Sequence, residues 1–213
     1  GYVNWGYEAI GRFQNWEQIA NYPIDNDRKG NRTVVPGDIM YKDQNNDGVI
    51  NYLDERPIGY RVDSTPTLNF GINLSASWKG FDLAMDWTGS GMTSWNQCYE
   101  TARPFQNDGN SPDEVLKDAW HLSDIWDANS PLIPGKYPMI RLNTDETSAY
   151  DKSSYWLHNV TYLKLRNLEV GYTFPKTWLN KTGISNLRLF VSGTNLLTLS
   201  NLSVMDPECA SDN

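Results

Sequence analysis

The sequence predicts an all-β chain, a piece of an antiparallel transmembrane β-barrel with long extracellular loops. Three observations carry that reading. Thr67 to Trp78 alternates without a fault: Leu68, Phe70, Ile72, Leu74, Ala76 and Trp78 are apolar, and the residues between them are polar or glycine. A strand points successive side chains to opposite faces, so one face is apolar and the other wet. At ~3.3 Å per residue such a run crosses a membrane at a tilt, whereas soluble strands are usually about 5–6 residues long. The connections between strands also differ sharply in length, as short periplasmic turns and long extracellular loops do. Lastly, no stretch approaches ~18 consecutive apolar residues, so no membrane helix competes.

The elements follow in order. Residues 1–37 are aromatic and polar without a sustained period; Asn15 to Asn21 predicts a short helix with Trp16, Ile19 and Ala20 on one side. Thr67–Trp78 and Phe81–Gly89 are strands, and Lys79-Gly80 between them signals a tight hairpin. Residues 90–158 form a long connection with one short helix over 111–120, capped by Ser111, with Pro112 in its first position and Glu114 at the capping-box offset. Tyr162–Phe174 is a third strand whose two halves alternate in different frames, so a bulge is expected near Asn167. Pro175–Gly183 reads as a turn with a short helix, and Leu187–Leu199 as a fourth strand. Four strands cannot close a barrel, and lipid leaves open edges unsatisfied. Most of the barrel is therefore expected outside this sequence. Its start at Gly1 and its polar close, Asp206 to Asn213, also read as a piece of a longer protein.

The net charge of −8 disfavours a nucleic-acid partner. Cys98 and Cys209 alone make no disulfide framework. His121 and His158 have no carboxylate at triad or zinc spacing, and no nucleophile or phosphate-loop motif is present, so no enzyme activity is predicted.

One loop has the spacing of a calcium site. Asp43, Asn45, Asp47, Asn51 and Asp54 fall at positions 1, 3, 5, 9 and 12 of a twelve-residue EF-hand loop. Gly48 sits at the sharp turn, and Val49 would offer its carbonyl. A hard cation wants six to eight oxygens, and this spacing wraps them around one point. Pro36-Gly37 and Pro57 spoil the flanking helices, and Asp54 replaces the usual bidentate Glu, so the expected role is a structural calcium that stiffens the loop. The plain alternative is an Asx-rich turn that holds itself.

These pieces together resemble the SusC/RagA family of TonB-dependent outer-membrane transporters. The resemblance rests on Pro36 to Asp43 with Asn45 to Asn51, Ile58-Gly59, Thr65-Pro66, Phe70-Gly71 and Lys79 to Leu83. It continues through Trp120, Tyr137-Pro138, Tyr155 to Leu157, Tyr162 to Pro175, Leu187 to Thr198 and Asp206 to Glu208, nearly the whole chain in order. It implies a plugged barrel of about 22 strands in the bacterial outer membrane, of which this is a C-terminal barrel fragment. It implies TonB-dependent import of oligosaccharides or oligopeptides. The implied partners are a SusD-like surface lipoprotein, outer-membrane lipid, and TonB, reached through an N-terminal part not in this sequence.

On that basis residues 1–66 are expected to be an extracellular loop region holding the calcium-like loop 43–54. Residues 67–89 are a barrel hairpin, 90–158 a long extracellular loop, and 159–213 barrel strands with the start of the next loop. Trp95, Tyr99, Trp120 and Trp126 are candidates for stacking on ligand, weighed against simple loop packing. Asn69, Asn73, Asp82, Asp86, Glu169 and Arg188 are candidates to line the lumen or bond a plug. Two readings compete: a soluble extracellular calcium-stabilised carbohydrate-binding β-sandwich, which needs a second sheet over the apolar faces, and a dockerin-like module, which needs a second calcium loop.

Overall fold

The computed structural model describes residues 3–60, 66–142, 147–180, 183–202 and 205–208. The chain forms two units, Gly1–Val62 with Ser94–His158, and Asp63–Thr93 with Asn159–Ala210.

The first unit begins with β1 (Asn4–Gly6) and β2 (Ala9–Arg12), followed by helix α1 (Trp16–Ala20). Asn15 caps that helix by accepting the Gln18 N–H at 2.8 Å. Ile19 is its buried residue, while Trp16, expected on the same side, is exposed. β3 (Ile39–Tyr41) pairs with β2, and β4 (Arg56–Gly59) with β1, both antiparallel. Ile39, Tyr41, Ile50, Tyr137, Tyr150 and Trp156 make the centre of its main core. Phe13, Ile19 and Val34 make a smaller one.

The second unit is built from longer strands. β5 (Leu68–Trp78) and β6 (Phe81–Asn96) form the expected hairpin in unbroken register, from Trp78 opposite Phe81 to Leu68 opposite Gly91. Lys79 (φ 48°) and Gly80 (φ 89°) are both left-handed, which makes the two-residue turn match the right-handed twist of its strands. A Cβ on Gly80 would stand 2.8 Å from the Thr173 carbonyl, so glycine is required there for space as well as for φ. β6 runs seven residues past its expected end at Gly89. Gly89-Ser-Gly91 has no hydrophobic period to read, yet it stays paired, and the Phe70 ring lies over the bare Cα of Gly89.

Between β6 and the next long strand come helix α2 (Asp113–Lys117) and the short pair β7 (His121–Leu122) and β8 (Leu132–Ile133). Helix α2 is shorter than expected, and Pro112, not Ser111, is its cap residue. Pro112 is extended (ψ 137°), which moves the helix start to Asp113. At the other end, Trp120 donates its N–H to the Tyr137 carbonyl and Tyr137 donates to the Asp118 carbonyl, so pairing pulls 118–120 out of the helix.

β9 (Leu157–Thr173), helix α3 (Lys176–Leu179) and β10 (Arg188–Ser200) complete the chain, and the sheet order is β10-β9-β6-β5. The frame change expected near Asn167 is present. Consecutive residues reach one face of β6: Arg166 Nε donates to Thr88 Oγ1 (2.8 Å) and Asn167 Nδ2 to Asp86 (3.1 Å). β10 carries one extra residue opposite Arg166, with Asn195 at φ 52°.

Among the described residues no second layer covers the apolar face of β5. Leu68, Phe70, Ile72 and Leu74 are 42–49 % exposed. The sandwich reading required that cover. Aromatic residues gather at the turn end of the sheet. Phe81 packs on Tyr172 (4.6 Å between centroids), Tyr172 on Phe174 (5.0 Å) and Phe174 on Trp178 (6.2 Å), with Trp78 exposed beside them. Aromatics at that level are where a barrel meets the lipid headgroups.

Candidate functional site

The acidic loop brings the Asp43, Asp47 and Asp54 carboxylates within 4.8 Å of one another. Backbone geometry explains how. Asn46 and Gly48 are left-handed (φ 61° and 84°), which coils the chain around Asp43. Asp43 accepts the N–H of Asn46 (2.6 Å) and of Gly48 (2.8 Å). Asp47 accepts the Val49 N–H (2.9 Å), and this, with a bond from Asn45, holds its carboxyl below the usual carboxylate range. Asp54 is fully buried and joins the two ends of the loop, accepting Gln44 N–H (2.8 Å) and Asn51 N–H (2.9 Å).

The donor set fits a hard cation in part. Three carboxylates converge with lone pairs to spare, and their mutual repulsion favours a cation among them. Asn45 and Asn51, however, turn their amide N–H groups to Asp47 Oδ2 (2.8 and 3.3 Å), and Asn51 also donates to the Val49 carbonyl (3.2 Å). A cation bound by all six residues would have to displace those bonds.

A neighbouring turn went unread in the sequence. Asp27 accepts four bonds, from the N–H of Lys29, Asn31 and Thr33 and from the Thr33 hydroxyl, at 2.7–2.8 Å. Burial opposes these bonds, and their sum still holds the Asp27 carboxyl low. The turn is stitched to the acidic loop: Asp25 N–H donates to the Gly48 carbonyl (2.8 Å) and Ile50 N–H to the Asp25 carbonyl (3.0 Å). Ile50, between loop residues on either side, is fully buried in the main core. The spacing Asp25-x-Asp27-x-x-Gly30 was the available signal.

Below these turns lies a buried ion pair. Asp38 is fully buried; it accepts the Val35 N–H (3.0 Å) and pairs with the Arg141 guanidinium, which also donates to the Thr33 carbonyl (2.9 Å). Desolvation outweighs Arg141 and Arg12, and pushes the Asp38 carboxyl from its ordinary 3.8 up to about 6. Arg12 is held by the Gly37 and Lys136 carbonyls and lies over the Trp120 and Tyr155 rings (5.8 and 5.2 Å).

The four aromatic candidates divide. Trp95 is buried and stacks on His158 (5.7 Å). Trp120 is buried against Gly37, where a Cβ would come within 2.5 Å of the ring, and beneath Arg12. Tyr99 is half exposed and Trp126 is 90 % exposed, so these two keep a face open for stacking. His121 bonds the Ala119 carbonyl (2.9 Å) and His158 the Gln97 amide (3.3 Å). Cys98 is a free thiol that burial pushes up; Cys209 lies outside the described residues.

On the polar face of the sheet, Arg188 bridges Asp82 of β6 and Glu169 of β9. Together with the Asn167–Asp86 bond this links three adjacent strands.

No family model matches the chain. It is 30% identical over 207 residues to TonB-dependent receptor P3 of Formosa agariphila, a match that covers 94% of this chain and 19% of that protein. TonB-dependent receptor P26 of the same organism is 26% identical over 206 residues, covering 95% and 19%. The chain thus spans about a fifth of the length of the curated relatives it matches. Among solved structures, it superposes on the RagAB peptide transporter with a TM-score of 0.58 at 20% identity, over 97% of this chain and 20% of that one. The RagAB peptide importer in its open-open state gives 0.57 at 22% identity, over 98% and 20%.

Proposed function

Since this chain is a barrel segment of the SusC/RagA family of TonB-dependent outer-membrane transporters, we propose that the protein it belongs to imports oligosaccharides or oligopeptides across the bacterial outer membrane. The observation that carries this is the one-sided sheet: apolar and uncovered on one face, cross-linked by charge on the other. Apolar side chains facing out suit hydrocarbon, and a polar interior suits a plugged lumen. A SusD-like lipoprotein is the proposed partner and TonB the proposed energy source. The role is transport and not catalysis.

The test uses the full-length transporter in its own outer membrane. Cells lacking it should lose energy-dependent uptake of one labelled oligomer pool, of glycans or of peptides, and regain it on complementation. Unchanged uptake of both pools would remove the proposal. Affinity purification in detergent should also bring down a surface lipoprotein.

For the acidic loop we propose a structural calcium, held by Asp43, Asp47 and Asp54 with oxygens from Asn45, Val49 and Asn51. The ion would supply charge neutralisation and rigidity. At about 100 times its Kd it should resist local opening by about 2.7 kcal/mol. Proteolysis within residues 25–54 of the full-length protein is then slower in calcium than in chelator, and Asp47→Asn abolishes the difference. Equal rates in calcium and chelator would leave the loop as a self-held turn.

A further inference from the structure

The acidic tripeptide Asp206-Pro207-Glu208 is not accounted for by the barrel wall or by the metal loop. β10 ends at Ser200, opposite Tyr162. Asn201 then caps the neighbouring strand: it accepts Thr161 N–H at its side chain (2.9 Å) and donates its amide to the Asn159 carbonyl (2.7 Å). A chain leaving a strand in this direction could continue away from the sheet. Asp206 and Glu208 instead lie over the polar face. Lys164, which is opposite Thr198 and so further inside the sheet than Ser200, donates to Asp206 Oδ1 at 2.7 Å and to Glu208 Oε2 at 2.8 Å. Arg166 pairs with the other Glu208 oxygen, and the Tyr162 hydroxyl bonds the same carboxylate. Glu208 N–H donates to Asp206 Oδ1 (3.0 Å), so the two acids are presented together by one turn.

The burial of Lys164 is the second observation. Its side chain is 7 % exposed, whereas Asp82, Glu169 and Arg188 on the same face are each about a third exposed. An ammonium is not left buried without partners, and its two carboxylates both come from this returning segment. We propose that residues 205–208 are an in-folded strap, clamped to the polar face of the barrel wall by Asp206 and Glu208 on Lys164 and Arg166. The strap occupies two cations that would otherwise line the polar face, so releasing it both widens the passage there and exposes an anion-binding pair.

The clamp stands on the ion pairs whatever the transported substrate. Its test uses the full-length protein with both native cysteines replaced (Cys98→Ser, Cys209→Ser) and a reporter, Met205→Cys, in the half-buried part of the strap. Labelling by a water-soluble maleimide should be slow. Adding Asp206→Asn with Glu208→Gln strips the clamp from its exposed side, leaves Lys164 to seek water, and should speed labelling about tenfold. Asp206→Asn alone should speed it less, because Glu208 still pairs with both Lys164 and Arg166. Labelling that is equally fast in all variants, or equally slow in all, would overturn the strap. Correct assembly of each variant is checked by its heat-modifiable migration on gels.

Discussion

Replacing Arg141 by methionine should open the loop unit more than any surface change in this chain. Asp38 is fully buried, and Arg141 is its cationic partner from 103 residues away. Removing one partner of a buried pair leaves an uncompensated charge, which costs about 3–5 kcal/mol. Asp38→Asn in the Arg141→Met background should recover part of that loss, since the amide can keep the Val35 bond without a charge. Both are read as the rate of proteolysis within residues 12–42 of the full-length protein, under conditions where cleavage follows the open population. Equal rates for wild type and Arg141→Met would show that the pair carries no stability.

The same pair makes a pH prediction with a definite sign. The folded Asp38 carboxyl titrates near 6 against an ordinary 3.8, so the folded state holds the proton more tightly than the unfolded one. Its contribution is complete below about 3.8 and is lost as pH rises through about 6. For Arg141→Met the loss is larger, because the lowering influence of Arg141 is gone. The variant should therefore approach wild type near pH 4 and diverge most at pH 7. Divergence that grew toward acid would contradict the assignment.

The second large effect is expected on the strand faces. Ile72 lies six residues from Trp78 at the aromatic rim, ~20 Å along the strand, which at a tilt is near the middle of a ~25 Å apolar band. Ile72→Arg in the full-length protein should cost about 2–4 kcal/mol of barrel stability. Asn73→Arg, one residue on but on the opposite face and paired with Asp86, should be tolerated. The readout is the denaturant midpoint for loss of heat-resistant gel migration. Equal tolerance at 72 and 73 would mean that neither face of this strand meets lipid.

What was legible in the sequence was what one strand or one turn decides alone. Period-two alternation over Leu68–Trp78 sets its two faces, because a strand turns its side chains by a fixed amount per residue. Lys79-Gly80 selects its turn through left-handed backbone, and Asp43 to Asp54 coils through Gly48 and its own side-chain bonds. These are local rules, readable from neighbours within a dozen positions. The periodicity faded at Gly89-Ser-Gly91 and at Leu157–Thr161, where pairing across the sheet and not side-chain pattern holds the strand.

The tertiary structure alone decided which aromatics are spent on packing. Trp95 and Trp120 are closed by His158, Gly37 and Arg12, while Tyr99 and Trp126 keep open faces, although all four look alike in the sequence. It also decided that Asp38 meets Arg141 and that Asp206 and Glu208 return to Lys164. Such pairs form only when distant segments are brought together by closing the fold. Their strength comes from the burial that closure creates, and no spacing along the chain encodes that burial.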